Sequence, residues 1–428
     1  MTDYRKAVTY LYSLQKFGIK FGLSKTSNLL KAFGNPQIGQ KYVHVAGTNG
    51  KGSVAVFVAS ILQEAGYRVG LYTSPHLVRF TERFKINGRE ITRAKATTLI
   101  EELRVAMRPE EPPTFFEATT ALALAYFARE NTDIAIIEVG MGGRLDATNI
   151  ITPLVSVITN ISLEHQFFLG SRLRDIAYEK GGIIKEGIDV LTGATQPNII
   201  RFLQSLCVQK KAPMWRVGKD IRYRTTGSGL HYRGINRRFD RLELGLKGKF
   251  QNRNAALAIA VIERLEEKGF RVSPQDIREG LSKSIWPGRM QVIADKPTIL
   301  LDGAHNPTAI RALAKGIKAA FKYRQMILII GIMEDKAIYQ MLRGIVPLSD
   351  YVIYTRPVYP RAASPELLME KGASFRKSAE VVPSLTQAID RAKEMANPQD
   401  LIVVCGSLFT VGEAMTHFDP KAYRPNDL

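Results

Sequence analysis

The chain has 428 residues, 45% of them hydrophobic, a formal net charge of +20 and only two cysteines. It reads as a soluble, globular protein of two or three domains, with the cytoplasm as the default location, because residues 1–7 lack a signal peptide's apolar core and no apolar run is long enough to span a bilayer. The basic residues are dispersed, with short clusters at Lys210-Lys211 and between Arg233 and Arg241; this argues against nucleic acid as the main partner and suits ATP and a polyanionic substrate. Cys207 and Cys405 are far apart and belong to no ligand cluster, so both are read as reduced core residues.

Along the chain, β-branched apolar runs at 42–46, 69–73, 134–139 and 154–159 alternate with helical patterns at 54–64, 116–129 and 173–179. This alternation predicts an α/β fold with a mostly parallel sheet. From 221 to 246 the pattern becomes a short polar–apolar alternation broken by glycines, which suits an antiparallel extension. Helices are expected at 252–267 and 274–282, before Trp286-Pro-Gly-Arg289 breaks the pattern. A second alternation follows, with strands at 298–301, 326–330, 351–354 and 401–404 and helices at 309–321 and 385–396. It predicts a second α/β domain, and the division 1–293 and 294–428 separates the two.

The densest chemistry lies in Gly47-Thr48-Asn49-Gly50-Lys51-Gly52-Ser53, set between the first strand and the first helix of the sheet. Strand, glycine loop and helix in this order form a phosphate cradle. The glycines let backbone N–H groups close on phosphate oxygens, Lys51 reaches the outer phosphates and Ser53 can hold magnesium. The loop departs from GxxxxGK[ST] in the position of its first glycine and in the extra Gly52. Glu138 ends another strand and His165 follows a third, so both stand at carboxyl ends, where parallel sheets bind ligands. Lys180 reads as an ordinary surface lysine. In the second domain, Asp302, His305 and Asn306 lie between a strand and the helix that Pro307 can start; a turn and a helix cap explain Asp302 and Asn306 equally well. Arg289 in the linker is within reach of such a site.

These residues resemble the folylpolyglutamate synthase and dihydrofolate synthase family of the Mur ligase superfamily, specifically its bacterial bifunctional members. The motifs carrying the resemblance are VAGTNGKGS from Val45, TSPHL from Thr73, EVGMGGRLDATN from Glu138, EKxGIIK from Glu179, QNxNAAxA from Gln251, WPGRMQ from Trp286, DGAHNP from Asp302 and Gly406-Ser407. The resemblance implies an N-terminal P-loop ATPase domain and a C-terminal Rossmann-like domain. It implies that ATP, bound by Thr48 to Ser53 with Asn254, Arg289 and Asp302, phosphorylates a carboxylate that the amine of L-glutamate then attacks.

The other implied roles are specific to single residues. Ser53, Ser74, Glu138 and His165 take magnesium-associated positions, with two ions expected, and Lys180 is carried as a carbamate. Phe80, Arg83, Phe115 and Phe116 lie near the pterin-bearing substrate, and His305 and Ser407 near the glutamate. Dihydropteroate and reduced folates are the implied acceptors and a monomer the implied state; a potassium ion is left open. Glu164, Phe250 and Gly181 depart from the family's usual aspartate, histidine and alanine. Two other readings share parts of this pattern. A Mur-type peptidoglycan ligase carries a uridine-nucleotide domain ahead of the loop, where this chain has about forty residues. A nucleotide-driven nucleic-acid-binding ATPase is the other; its guanine-selective form should show an Asn-Lys-x-Asp element, absent from the sequence.

Overall fold

The computed structural model describes residues 3–18, 22–107, 110–227 and 229–425. Its first sheet has eight strands: β1 (Tyr42–Ala46), β2 (Val69–Tyr72), β3 (Phe84–Ile86), β4 (Arg89–Glu90), β5 (Ile134–Glu138), β6 (Val155–Ile158), β7 (Asp189–Thr192) and β8 (Met214–Arg216). They lie in the order β4-β3-β2-β5-β1-β6-β7-β8. All pairings are parallel except the β2–β3–β4 edge. β1, β5 and β6 are buried along their whole length, which is why they read as continuous apolar runs. β1 sits between β5 and β6 with β2 beyond β5, so the carboxyl ends of four strands open on one crevice.

Helices Lys51–Glu64 and Gln251–Glu266 cover one face of this sheet in a single core cluster. Against the second of them packs the three-stranded antiparallel sheet β11-β10-β9, from β9 (Arg222–Thr226), β10 (Gly229–Arg233) and β11 (Arg238–Leu242). The phosphate-loop helix begins at Lys51, three residues before its apolar pattern does, because Gly50 adopts φ 85° and starts the turn. The short strands β3, β4, β7 and β8 carry no clear period and were not foreseen.

The second sheet has the order β12-β13-β17-β14-β15-β16. Its strands are β12 (Gln291–Asp295), β13 (Thr298–Asp302), β14 (Met326–Ile330), β15 (Tyr351–Arg356), β16 (Ser378–Ser384) and β17 (Leu401–Cys405). β12 is antiparallel to β13 and the other pairings are parallel. Residue 293 therefore lies inside a strand of this sheet, which starts at Gln291. Both cysteines are free and buried. No helix among the described residues is long and apolar enough to cross a membrane.

The two units meet along the crevice. Helix Leu408–Phe418 packs on the loop after β2, where a side chain at Gly412 would strike the Leu77 carbonyl. Arg79 Nη1 donates to the Ala422 carbonyl at 2.8 Å, and Asn306 Nδ2 donates to Asn49 Oδ1 at 2.9 Å.

Candidate active site

The phosphate loop is held from below by the segment leaving β6. Thr48 N–H donates to the Asn160 carbonyl at 3.0 Å and Asn49 N–H to Asn160 Oδ1 at 2.9 Å, while Thr159 Oγ1 donates to the Asn49 carbonyl at 2.7 Å. Gly47 is at φ 141° and any side chain on it would strike Thr159. A side chain on Gly50 would come within 2.6 Å of Asn254 Oδ1, so the loop and helix Gln251–Glu266 touch directly. Asn254 Nδ2 in turn donates to Gln251 Oε1 at 2.7 Å, and Gln251 Nε2 to Ser53 Oγ at 3.2 Å. Gln251 opens the QNxNAAxA motif, and its complete burial beneath Ser53 emerges only in the fold. Lys51 Nζ donates to the Gly47 and Thr48 carbonyls at 3.1 and 3.3 Å, so its ammonium lies over the loop that would hold the phosphates.

Glu138, at the end of β5, is buried and accepts the Ser74 N–H at 3.2 Å. Burial pushes its carboxyl pKa up, against the pull of Lys51, the Ser74 N–H, Arg289 and Arg83. Gly52, Ser74, Glu138, Arg289 and Leu408 line one cavity of about 690 Å³, open mouth included, so both units contribute to it. Among the described residues no three His, Cys, Asp or Glu side chains gather into a metal cage. A single carboxylate with the Ser53 and Ser74 hydroxyls fits magnesium, which keeps phosphate oxygens and water as most of its ligands.

Lys180 is not a surface residue. Its side chain is 2% exposed and its Nζ donates to Glu164 Oε1 at 2.6 Å. Burial lowers the pKa of this ammonium against the opposing effect of Glu164. Burial alone would raise the Glu164 carboxyl, but Lys180, Lys51 and His165 outweigh it and bring the pKa to about 2. His165, in a left-handed turn at φ 45°, is exposed to solvent. Partial desolvation by neighbouring protein and then the charge of Lys336 lower its imidazole to about 4, which leaves it neutral at pH 7. Lys336 belongs to the other unit, and no local signal could have named it.

Across the crevice, Asp302 ends β13, buried, and accepts the N–H groups of Met290 and Ala304 at 2.9 and 2.8 Å. Burial raises its pKa and Arg289 opposes this. His305 Nδ1 lies 2.9 Å from the Gly303 carbonyl, so Nδ1 carries the proton and Nε2 keeps a lone pair. Burial and then Arg289 lower its pKa to about 4. Ser407 is buried and caps helix Leu408–Phe418, accepting the Thr410 N–H at 2.9 Å. Its hydroxyl also bonds Thr410 Oγ1 at 2.7 Å, so both of its contacts are structural.

The expected aromatic group divides. Phe80 is 1% exposed and packs on Tyr12, Phe84 and Phe115, as a wall of the core and not as a ring face open to a ligand. Phe115 stacks on Tyr12 at 5.3 Å and lies under the Arg83 guanidinium at 5.1 Å. Arg83 Nε donates to His76 Nδ1 at 2.9 Å, and His76 Nε2 bonds the Tyr12 hydroxyl at 3.1 Å. Phe116 lies against Gly140, where any side chain would strike its ring. Tyr12 completes this cluster from a distant segment, so sequence spacing gives no sign of it, while His76 comes from the TSPHL motif in the same segment as Arg83.

Residues 45–262 match the Mur ligase middle domain and residues 288–408 the Mur ligase glutamate ligase domain. The chain is 32% identical over 424 residues to the dihydrofolate synthase/folylpolyglutamate synthase of Bacillus subtilis (strain 168), covering 96% of this chain and 98% of the relative. The chain belongs to this family of Mur ligases. Its members are ATP-dependent glutamate ligases, and the protein of the same name from Escherichia coli (strain K12) is 35% identical, over 97% of this chain and 95% of that one. Among solved structures, E. coli FolC in complex with DHPP and ADP superposes with a TM-score of 0.90 at 34% identity, covering 97% of this chain and 98% of that one. Mycobacterium tuberculosis folylpolyglutamate synthase complexed with ADP gives 0.91 at 31% identity, covering 97% and 99%. The mixed α/β architecture with two parallel-stranded units is the one these structures share.

Proposed function

We propose that this ligase adds L-glutamate to dihydropteroate and also to tetrahydrofolate or its polyglutamates, acting in the cytoplasm as a monomer. The observation that carries the reading is the single cavity in which Gly52, Ser74 and Glu138 of one unit face Arg289 and Leu408 near β13 and β17 of the other. Such a cavity can enclose a reactive intermediate between domains.

A substrate carboxylate oxygen attacks the γ-phosphorus of ATP and ADP leaves, giving an acyl phosphate. The glutamate amine then attacks the acyl carbon and loses a proton, and inorganic phosphate departs with the carboxylate's former oxygen. Lys51 offsets charge on the phosphoryl oxygens, and Asn254, Arg289 and Asp302 hold the nucleotide. Magnesium, when held by Glu138, Ser53 and Ser74 with the neutral His165 nearby, adds positive charge at the same oxygens. His305 Nε2, with its free lone pair, accepts a hydrogen bond from the incoming amine, and Ser407 shapes the wall beside it. Arg83, Phe115 and Phe116 flank the pterin, with Phe80 as backing.

Lys180 acts in this reading as a carbamate, formed when its neutral amine adds carbon dioxide and releases a proton. Burial supports this, since it favours the neutral amine. The carbamate would stand beside Glu164, and these two anionic groups would be the ones to hold a second magnesium ion, which would supply further positive charge for the phosphoryl oxygens. Supplying tetrahydrofolate with an ¹⁸O-labelled glutamate-tail carboxylate tests the route. One labelled oxygen should appear in the phosphate for each amide formed; unlabelled phosphate alongside product would sink the acyl-phosphate mechanism.

A further inference from the structure

Asn49 is the one phosphate-loop residue tied to the other unit by a side-chain hydrogen bond among the described residues. Asn306 caps helix Pro307–Ala320, its Oδ1 accepting the Ala309 N–H at 2.8 Å. That bond fixes the amide's orientation and turns Nδ2 toward Asn49, whose Oδ1 accepts from it at 2.9 Å. The Asn49 amide is then oriented too. Its backbone N–H and carbonyl are taken by Asn160 and Thr159, and its Nδ2 is left buried without a partner. A buried donor with no acceptor makes an arrangement unfavourable until one arrives.

We infer that the Asn306–Asn49 pair couples nucleotide occupancy to the closed arrangement of the two domains, with Asn306 as a positioning residue that sets the polarity of Asn49. The chain of amides runs in one direction: helix start, Asn306, Asn49, ligand. Closure presents the Asn49 donor, and an anionic phosphate oxygen is the acceptor that completes it. Closure without a nucleotide leaves the donor unpaired, so each event favours the other by the same factor. This rests on the reading of residues 47–53 as the nucleotide loop.

The test uses the full-length protein, the non-hydrolysable analogue AMP-PCP with magnesium, and two variants. Asn306→Ser keeps a competent helix cap and adds no charge but is too short to bridge, whereas Asn306→Asp keeps the cap and turns donor into acceptor. A role confined to capping leaves both variants like the wild type. The inference expects melting temperatures close to wild type, a rise of about tenfold in the AMP-PCP dissociation constant for Asn306→Ser, and a larger rise for Asn306→Asp, in which Asn49 must turn its oxygen toward the phosphates. It also expects the compaction seen by small-angle scattering on adding AMP-PCP to be lost in both, with KM for ATP affected more than kcat. Unchanged affinity and compaction in Asn306→Ser would overturn the coupling. Failure of the wild type to bind AMP-PCP would instead overturn the nucleotide-loop reading, and the coupling with it.

Discussion

Glu164→Gln is the most informative single change, because it breaks a buried ion pair without changing side-chain volume. The Lys180 and Glu164 side chains are 2% and 8% exposed and meet at 2.6 Å. Removing one partner of such a pair costs about 3–5 kcal/mol, and since glutamine still offers an amide oxygen the lower end, ~3 kcal/mol, is expected. An N-terminal unit of roughly 290 residues melts with an entropy of ~0.6 kcal/mol/K, so the melting temperature should fall by about 5 °C. The pH dependence has a definite sign. The folded pKa of Glu164, about 2, lies below its unfolded value, so its stabilisation is present above the usual glutamate range and lost as pH falls toward 2. Lys180 works the other way: its folded pKa is depressed, so burying the ammonium is a cost that is relieved as pH rises through that pKa, and the pair is worth less than the Glu164 shift alone suggests. Calorimetry of carbon-dioxide-depleted protein between pH 8 and pH 5 should show a nearly constant deficit for Glu164→Gln. Lys180→Met should also be destabilised, and the double variant should recover most of the loss. A Glu164→Gln protein melting within 1 °C of wild type, or a double variant that is simply the sum of the two, would refute the pairing.

Three further outcomes follow from the same geometry. Lys51→Ala should abolish turnover while circular dichroism and melting stay near wild type, because among the described residues Nζ hydrogen-bonds to loop carbonyls alone; near-normal rates would remove Lys51 from the phosphate site. Lys180→Ala should lose activity that added bicarbonate does not restore, and substantial turnover in that variant would exclude a carbamate role. Imidazole titration by NMR should find His165 and His305 uncharged from pH 8 down to pH 5.5, since both lie near 4. Their protonation, and any loss of affinity that it brings, belongs below pH 5; a midpoint between 6 and 7 for either would contradict the desolvation and neighbouring positive charge assigned to it.

The parts of the fold that were legible are those where one local pattern decides. β1, β5 and β6 are buried on both faces and so appear as unbroken apolar runs, and the phosphate loop declares itself through Gly47, Gly50 and Lys51 between strand and helix. The edge strands β4, β8 and β16, and β3 next to the edge, are short or half-exposed and blend into turns. Lys180 shows the limit most plainly. Its helix pattern matches a solvent-facing lysine, and only tertiary packing against Glu164, from the segment after β6, buries it. Tyr12 and Lys336 carry no local signal for the same reason, since each enters the cleft by the folding of a distant segment, whereas His76 stands in the TSPHL motif with no role of its own. Ser407 shows a different case: its motif suggests ligand contact, and in the fold its hydroxyl caps a helix.

The most direct measurement of the central claim is product analysis by mass spectrometry. Purified protein with magnesium, ATP and L-glutamate is offered dihydropteroate in one reaction and tetrahydrofolate in another. Addition of a glutamyl residue in both, with one ADP formed per amide, is the predicted result. ATP hydrolysis with no glutamylated product in either reaction would contradict the account.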